Sequence, residues 1–275
     1  MATRLRVGAV SYLNAKPLYF GLEEAAPDVI LSMDVPSRLA DRLAAGGLDV
    51  ALIPSVEYLR GAPLGYEIVP GIAIAARGAV RSVKLFSRVP FGQIRRLALD
   101  AGSRTSQVLA RVWLDAEHGV RPDRIEALPM GVPAQESTAD AVLVIGDRAM
   151  GVPDTSFHAV VDLAEAWGEM TGLPFVFATW VARPGVDLGA LPETLARCRA
   201  EGLAHAHDLA AEHGPRLGLD VATCYDYLTH ALSYDLGAAE VSGLRQFARM
   251  AAALGLAPKG ADLVFYRRRD LAARP

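Results

Sequence analysis

Apolar positions in the first ninety residues switch between two periods. "LRVGAV", from Leu5 to Val10, is almost continuously apolar, the pattern of a buried strand, and "VILSMDV" and "LDVALIP" read as a second and a third strand. Between them the period lengthens to that of a helix. "PSRLADRLAAGG" sets Leu39 and Leu43 one turn apart, opens on Pro36 and stops at Gly46-Gly47. "SVEYLR" starts another helix with Ser55 as its expected N-cap, and Pro17 to Ala25 reads as a helix with proline near its start. Strands alternating with helices in this way predict a parallel sheet. The stretch from Tyr66 to Arg88 is richer in Gly and β-formers and predicts strands leading elsewhere.

A second cycle begins near Phe91. "RRLALD" is a strand, and "SRTSQVLARVWLDAEHG" is a helix capped by Ser103, striped by Val108, Leu109, Val112 and Trp113, and ended by Gly119. "IEALPM" and "DAVLVIGD" are two more short strands, and "FVFATWVAR" is a late strand running back. The last third reads as helices: one opened by Pro192, one capped by Asp220 and running to Gly237, and one over "SGLRQFARMAAALG". Together these predict an α/β fold of two lobes around a central cleft, with a helical C-terminal part rejoining the first lobe. Residues 1–90 and about 182–275 form lobe 1 in this reading, and 91–181 form lobe 2.

Composition narrows the function class. A chain that is 52% hydrophobic and 21% charged buries a large core, yet no stretch reaches the roughly 18 uninterrupted apolar residues of a membrane span. The apolar run at the N-terminus is too short for a signal peptide, so a cytoplasmic protein without a membrane partner is expected. A net charge of −3 argues against a nucleic-acid partner, and the basic clusters at Arg95-Arg96 and Arg267 to Arg269 read as solvated surface. Cys198 and Cys224 lie in apolar helical patterns and are expected as buried free thiols. The six histidines lack ligand spacing, so no metal is expected. Oligomeric state is left open.

In open parallel sheets, ligands bind beyond the carboxyl ends of the strands. Reading each strand to its end collects Ser11, Tyr12 and Asn14; Ser55; Ser87; Ser103, Arg104, Thr105 and Ser106; and Gly146 with Asp147. Each also has a plainer role. Ser55 and Ser103 serve as helix caps worth roughly 1 kcal/mol, Asn14 suits an Asx turn before Pro17, Tyr12 suits packing, and Asp147 suits a loop anchor. Their convergence from both lobes is what points to a site. Hydroxyls and free N–H groups at helix starts favour carboxylates or phosphates. GxxxxGK[ST], strand-linked GxGxxG and GxSxG are absent.

"VGAVSYLNAKPL", "VALIPSVEYL", "VKLFSRVP", "LALDAGSRTSQVLARVWL" and "DAVLVIGDRAM", in this order, resemble the chorismate dehydratase family of the futalosine route to menaquinone. The resemblance implies a fold similar to type 2 periplasmic solute-binding proteins. It also implies an enzyme that removes water from chorismate, giving 3-[(1-carboxyvinyl)oxy]benzoate without metal or organic cofactor. Asn14 matches the Asn of the family's "SYLN" and is the residue expected to carry the chemistry. One substrate carboxylate is expected at Ser103, Thr105 and Ser106 and the other near Ser11, Ser55 or Ser87, or the reverse. Asp147 matches a family aspartate whose role, base or structural acceptor, stays open. Two rival readings remain. One is the 1,4-dihydroxy-6-naphthoate synthase of the same route, which shares the architecture; "SYLNAKP" and "SRTS" favour the dehydratase. The other is a non-catalytic cytosolic protein that binds a small anion.

Overall fold

The structure, a computed structural model, describes residues 4–129 and 131–268; Met130 of "IEALPM" and Arg269 of the basic cluster lie outside them. Its strands are β1 (Leu5–Val10), β2 (Val29–Asp34), β3 (Val50–Pro54), β4 (Glu67–Ala76), β5 (Val83–Ser87), β6 (Arg96–Asp100), β7 (Arg124–Leu128), β8 (Ala141–Ile145), β9 (Ala159–Asp162), β10 (Phe175–Ala182) and β11 (Ser233–Leu236). They form two sheets. The first has the order β11-β4-β10-β3-β1-β2, and the second β7-β6-β8-β5-β9.

β1 runs parallel to β2 and β3, and β6 parallel to β7 and β8, as the strand–helix alternation predicts. The parallel arrangement is broken where the chain changes sheets. β5 is antiparallel to β8 and β9, and β10 inserts antiparallel between β3 and β4. Sheet membership therefore moves the crossings away from the expected boundaries at 90 and 181. β5 already belongs to the second sheet, and all of β10 belongs to the first.

Side chains of the second sheet alternate between two cores, as a two-residue period requires. Leu85, Leu97, Leu99, Leu143 and Ile145 join the main hydrophobic core, while Phe86, Ala98, Val142 and Val144 join a smaller cluster on the opposite face. The main core continues through the first sheet and the helices Arg104–His118 and Ala238–Ala253.

Several local expectations are corrected. The segment from Pro17 to Ala25 is not one helix: a 3₁₀ turn covers Leu13–Tyr19, and a short α-helix covers Leu22–Ala25. Between them Gly21 has φ +65°, a left-handed conformation that ends the first turn. The helix capped by Asp220 stops well short of Gly237. It runs Val221–Asp226, widens into a π turn at Tyr227–Ala231, and gives way to β11, which pairs with the edge of β4. That edge offers unpaired backbone groups, and filling it outweighs helix continuation. β9 and the helix Leu163–Thr171 have no counterpart in the sequence reading. Cys198 and Cys224 are buried free thiols, as expected. Among the described residues no helix is long and apolar enough to cross a membrane.

The helix Ala238–Ala253 lies close against the loop before β10, because Gly243 has no side chain there: a Cβ would sit 2.1 Å from the Pro174 carbonyl oxygen. Alanine is the better helix former by about 1 kcal/mol, but backbone on both sides leaves the clash no easy relief. Gly243→Ala is therefore expected to destabilise the protein by about 1–3 kcal/mol, read as a lowered midpoint in urea unfolding.

Candidate active site

β1 ends at Val10, and its hydrogen-bond ladder continues one residue further, where the Ser11 N–H donates to the Asp34 carbonyl at 3.1 Å. The chain then turns sharply into the 3₁₀ segment that places Asn14 in its first turn. This turn is held from behind by close backbone approach. A Cβ on Gly202 would lie 2.4 Å from the Pro17 carbonyl oxygen, so the helix Leu191–Ala204 rests directly on the main chain there.

In front of the turn is a cleft of about 450 Å³. Val10, Tyr12, Asn14 and Pro54 line it from the first sheet; Ser103, Ser106, Ile145 and Gly146 line it from the second. Ser82, just before β5, closes one side. None of its described lining residues carries a charged side chain. A wider cavity of about 1050 Å³ adjoins it, sharing Tyr12, Ile145 and Gly146 and including Ser11, Asp100, Asp147 and Arg148.

Tyr12 reaches across from the first sheet and packs on two glycines of the second. A Cβ on Gly102 would come within 2.9 Å of its hydroxyl, and one on Gly146 within 3.9 Å of its ring. Gly146 has φ +71° and ψ −160°, a conformation essentially restricted to glycine, so the turn after β8 depends on its lack of a side chain. Burial, and next the nearby Asp100 charge, push the Tyr12 phenol up to about 12 against the opposing Arg148, so it remains a neutral donor at physiological pH.

Asp100 is fully buried at the end of β6, and sequence reasoning missed it. It forms an ion pair with Arg148, accepts from the Gly102 N–H at 2.8 Å and from the Ile145 N–H at 3.3 Å, and so ties together the two loops on which Tyr12 rests. Tyr227 was missed as well. Its fully buried hydroxyl donates to Ser82 Oγ at 2.8 Å. Burial pushes this phenol up, with hydrogen bonding to Ser82 and Asn14 acting the other way. Tyr227 thus lies behind two residues that face the cleft. It opens the π turn and shares a buried face with Cys224, Leu228 and Ala231, the spacing of an ordinary apolar helix stripe, so the sequence pattern reads it as a packing residue.

Ser103 and Ser106 are brought together as expected. Ser103 caps its helix by accepting from the Ser106 N–H at 3.3 Å, and its hydroxyl donates to Ser106 Oγ at 2.9 Å. With that bond made, the Ser106 proton is left for an acceptor in the cleft. Asn14 Oδ1 is buried with no partner among the described residues.

Other candidates are placed elsewhere. Ser55 is no N-cap: Pro54 holds that position, and the buried Ser55 hydroxyl donates to the Val176 carbonyl at 2.8 Å, tying the start of the helix after β3 to β10. Ser87 lies at the opposite end of the second sheet. β5 runs antiparallel to β8, pairing Ser87 with Ala141 at the start of β8, and the Ser87 hydroxyl donates to the Val89 carbonyl at 2.6 Å. Thr105 Oγ1 accepts from the Val56 N–H at 3.2 Å and so caps the neighbouring helix start, Ser55–Gly61, from the other lobe. Arg104 pairs with Asp41 at 2.9 Å and Glu57 at 3.4 Å, bridging the lobes on the outside rather than facing the cleft. Ser11 is exposed and lines only the outer cavity. Asp147 lies beside it, next to the cleft and outside its lining; burial raises its carboxyl, while the Leu13 N–H and Lys16 act in the opposite direction.

The cleft is therefore a small chamber of hydroxyl and amide groups over apolar walls. It suits a compact anion with an unsaturated body, whose developing charge is met by fixed dipoles.

Comparison with known proteins agrees with this picture. The profile of a family described as menaquinone biosynthesis matches residues 5–253. The chorismate dehydratase of Thermus thermophilus is 33% identical over 269 residues, covering 91% of this chain and 95% of that protein. The chorismate dehydratase of Campylobacter jejuni is 24% identical over 257 residues, covering 91% of this chain and 99% of that protein. Among solved structures, the periplasmic aliphatic sulphonate binding protein SsuA of Escherichia coli aligns over 100% of this chain and 96% of its own, with a TM-score of 0.67 and 16% identity. A protein from Archaeoglobus fulgidus aligns over 93% of this chain and 99% of its own, with a TM-score of 0.70 and 18% identity. These two likenesses speak to the fold: two lobes of the periplasmic-binding-protein kind.

Thr105→Val keeps the shape of the side chain and removes the acceptor of the buried Val56 N–H. A loss of about 1–3 kcal/mol is expected, measured by urea unfolding with intrinsic tryptophan fluorescence.

Proposed function

The chain belongs to the menaquinone-biosynthesis family whose profile spans residues 5–253, and from that premise we propose that it is a chorismate dehydratase, a hydro-lyase that converts chorismate into 3-[(1-carboxyvinyl)oxy]benzoate and water. The observation that carries this reading is the chamber between the sheets. Asn14, Ser103 and Ser106 face one space from different lobes, and its described lining has no charged side chain. Both curated relatives bear the same activity in their names over nine-tenths of this chain.

The chemistry asks little beyond orientation and neutral stabilisation. The ring C3 hydrogen is vinylogously acidified by the ring carboxylate. As it leaves as a proton, its electron pair enters the ring and the C4–oxygen bond breaks; the departing hydroxide takes up a proton to become water, and the ring is aromatic. Among the described residues lining the chamber there is no carboxylate or imidazole. We therefore assign proton acceptance to the substrate's own enolpyruvyl carboxylate. To Asn14 we assign donation to the departing hydroxyl or holding of the ring, and to Ser106, with Ser103 beside it, the holding of one carboxylate. Fixed dipoles of this kind gain strength when water is shut out. Tyr12, seated on Gly102 and Gly146, forms part of the wall that does so. We place the enzyme in the cytoplasm, where the buried free thiols Cys198 and Cys224 stay reduced.

Incubation of the purified protein with chorismate is expected to consume it and give a product lighter by one water, followed by ultraviolet absorbance and mass spectrometry. Chorismate recovered unchanged, or turnover of cyclised futalosine instead, overturns the reading. Asn14→Ala is expected to lower kcat by about 10²-fold while chorismate affinity, measured by calorimetry, changes by only a few-fold.

A further inference from the structure

The chain first passes from one sheet to the other between β4 and β5, and Ser82 is the last residue before β5. It lines the cleft from a buried position. Its backbone and its side chain are held by different parts of the molecule. The Ser82 carbonyl accepts from the Gly146 N–H at 2.8 Å, which ties it to the turn after β8. Its Oγ accepts from Tyr227, and the hydroxyl proton that remains has no acceptor among the described residues.

The two residues before Ser82 are clamped. Asp162, at the end of β9, accepts from the Val80 N–H at 3.1 Å with one oxygen and from the Arg81 N–H with the other. The same carboxylate caps the helix Leu163–Thr171 through the Ala164 and Glu165 N–H groups. Glycines apart, Arg81 is the one described residue with a left-handed backbone, at φ +65°. A residue with a side chain keeps that conformation only where its surroundings over-determine it, and such residues gather at functional sites. The Arg81 guanidinium pairs with Asp226, the chain neighbour of Tyr227. Residues 81–82 and 226–227 are thus joined by an ion pair and a hydroxyl bond side by side.

We propose that Asp162 and Tyr227 are positioning residues for Ser82. The carboxylate fixes the strained backbone that leads into Ser82, the phenol occupies the acceptor side of its hydroxyl, and together they aim the Ser82 proton at the bound anion. Neither residue lines the chamber, so each acts through Ser82. The contact with substrate rests on the dehydratase reading; the clamp on the crossover does not. A hydrogen bond to a charged group is worth about ten- to hundred-fold in affinity or rate, so a hydroxyl left free to turn away is visible in kcat/KM.

The test is a pair of double-mutant cycles with Ser82→Ala. Tyr227→Phe removes the phenol hydroxyl and keeps the ring, and kcat/KM for chorismate is expected to fall about ten-fold. Asp162→Ser keeps a helix cap, but its single short oxygen cannot serve the helix and the crossover together. It is expected to lower kcat/KM by a similar factor and to quicken hydrogen exchange of the Val80 and Arg81 amides, measured without chorismate. Added to Ser82→Ala, either change is expected to alter kcat/KM by less than about two-fold, because the group it positions is already gone. Unchanged kcat/KM in either single variant overturns the proposal. Losses that add in full to that of Ser82→Ala overturn it too, because the residue then acts through Asn14 or through packing. Exchange at Val80 and Arg81 as slow in Asp162→Ser as in wild type removes the clamp. Should wild type fail to consume chorismate, the dehydratase reading falls, and the exchange measurement by itself decides whether Asp162 holds the crossover.

Discussion

The arrangement depends on the way each lobe completes the other's backbone and packing. The Val56 N–H, at a helix start in the first lobe, is accepted by Thr105 of the second. Tyr12 of the first lobe fits over Gly102 and Gly146 of the second, where side chains would obstruct it. A buried donor without an acceptor costs about 1–3 kcal/mol, so the two halves are matched at the level of individual groups as well as shape. The chamber exists only because these contacts bring β1, β6 and β8 to face a common space.

That chamber has a consistent electrostatic character. Charge is kept at its edge: Asp100 with Arg148 on one side, Arg104 with Asp41 and Glu57 on the outside. What faces inward is neutral. A guanidinium in the chamber would stabilise the substrate's carboxylates equally before and during reaction, and such uniform binding does not raise kcat. In the proposed mechanism, neutral hydroxyl and amide dipoles act instead on the charge that develops as the ring loses its proton.

Much of the fold was legible because the signals were local. The parallel strands, the Ser103 cap, the Gly119 stop and the two-lobed architecture follow from apolar period and helix-boundary chemistry. Asn14, Ser103, Ser106 and Gly146 were legible as strand-end residues and do line the cleft. Ser55 and Ser87 were not separable from them by sequence, since strand direction decides the matter. A strand end faces the cleft only if its strand runs the right way, and β5 runs the other. Thr105 and Arg104 turned elsewhere because a helix start has several faces, and only two of the four polar residues in "SRTS" look inward. Tyr227 and Asp100 take their roles from long-range contacts, one through its hydroxyl bond to Ser82 and the other through a buried ion pair, and apolar period reports neither partner.

β10 carries a consequence for how the molecule is assembled. It is the sole link between β3 and β4 in the first sheet, and it comes from beyond the entire second sheet in the chain. A nascent chain that has emerged only as far as residue 174 holds β1 to β3 and β4 as separate pieces with open edges. Such late, long-range pairing raises contact order and slows folding. During synthesis the second sheet is thus free to mature first, while β1, which leads into the turn that carries Asn14, and its partners await their missing neighbour.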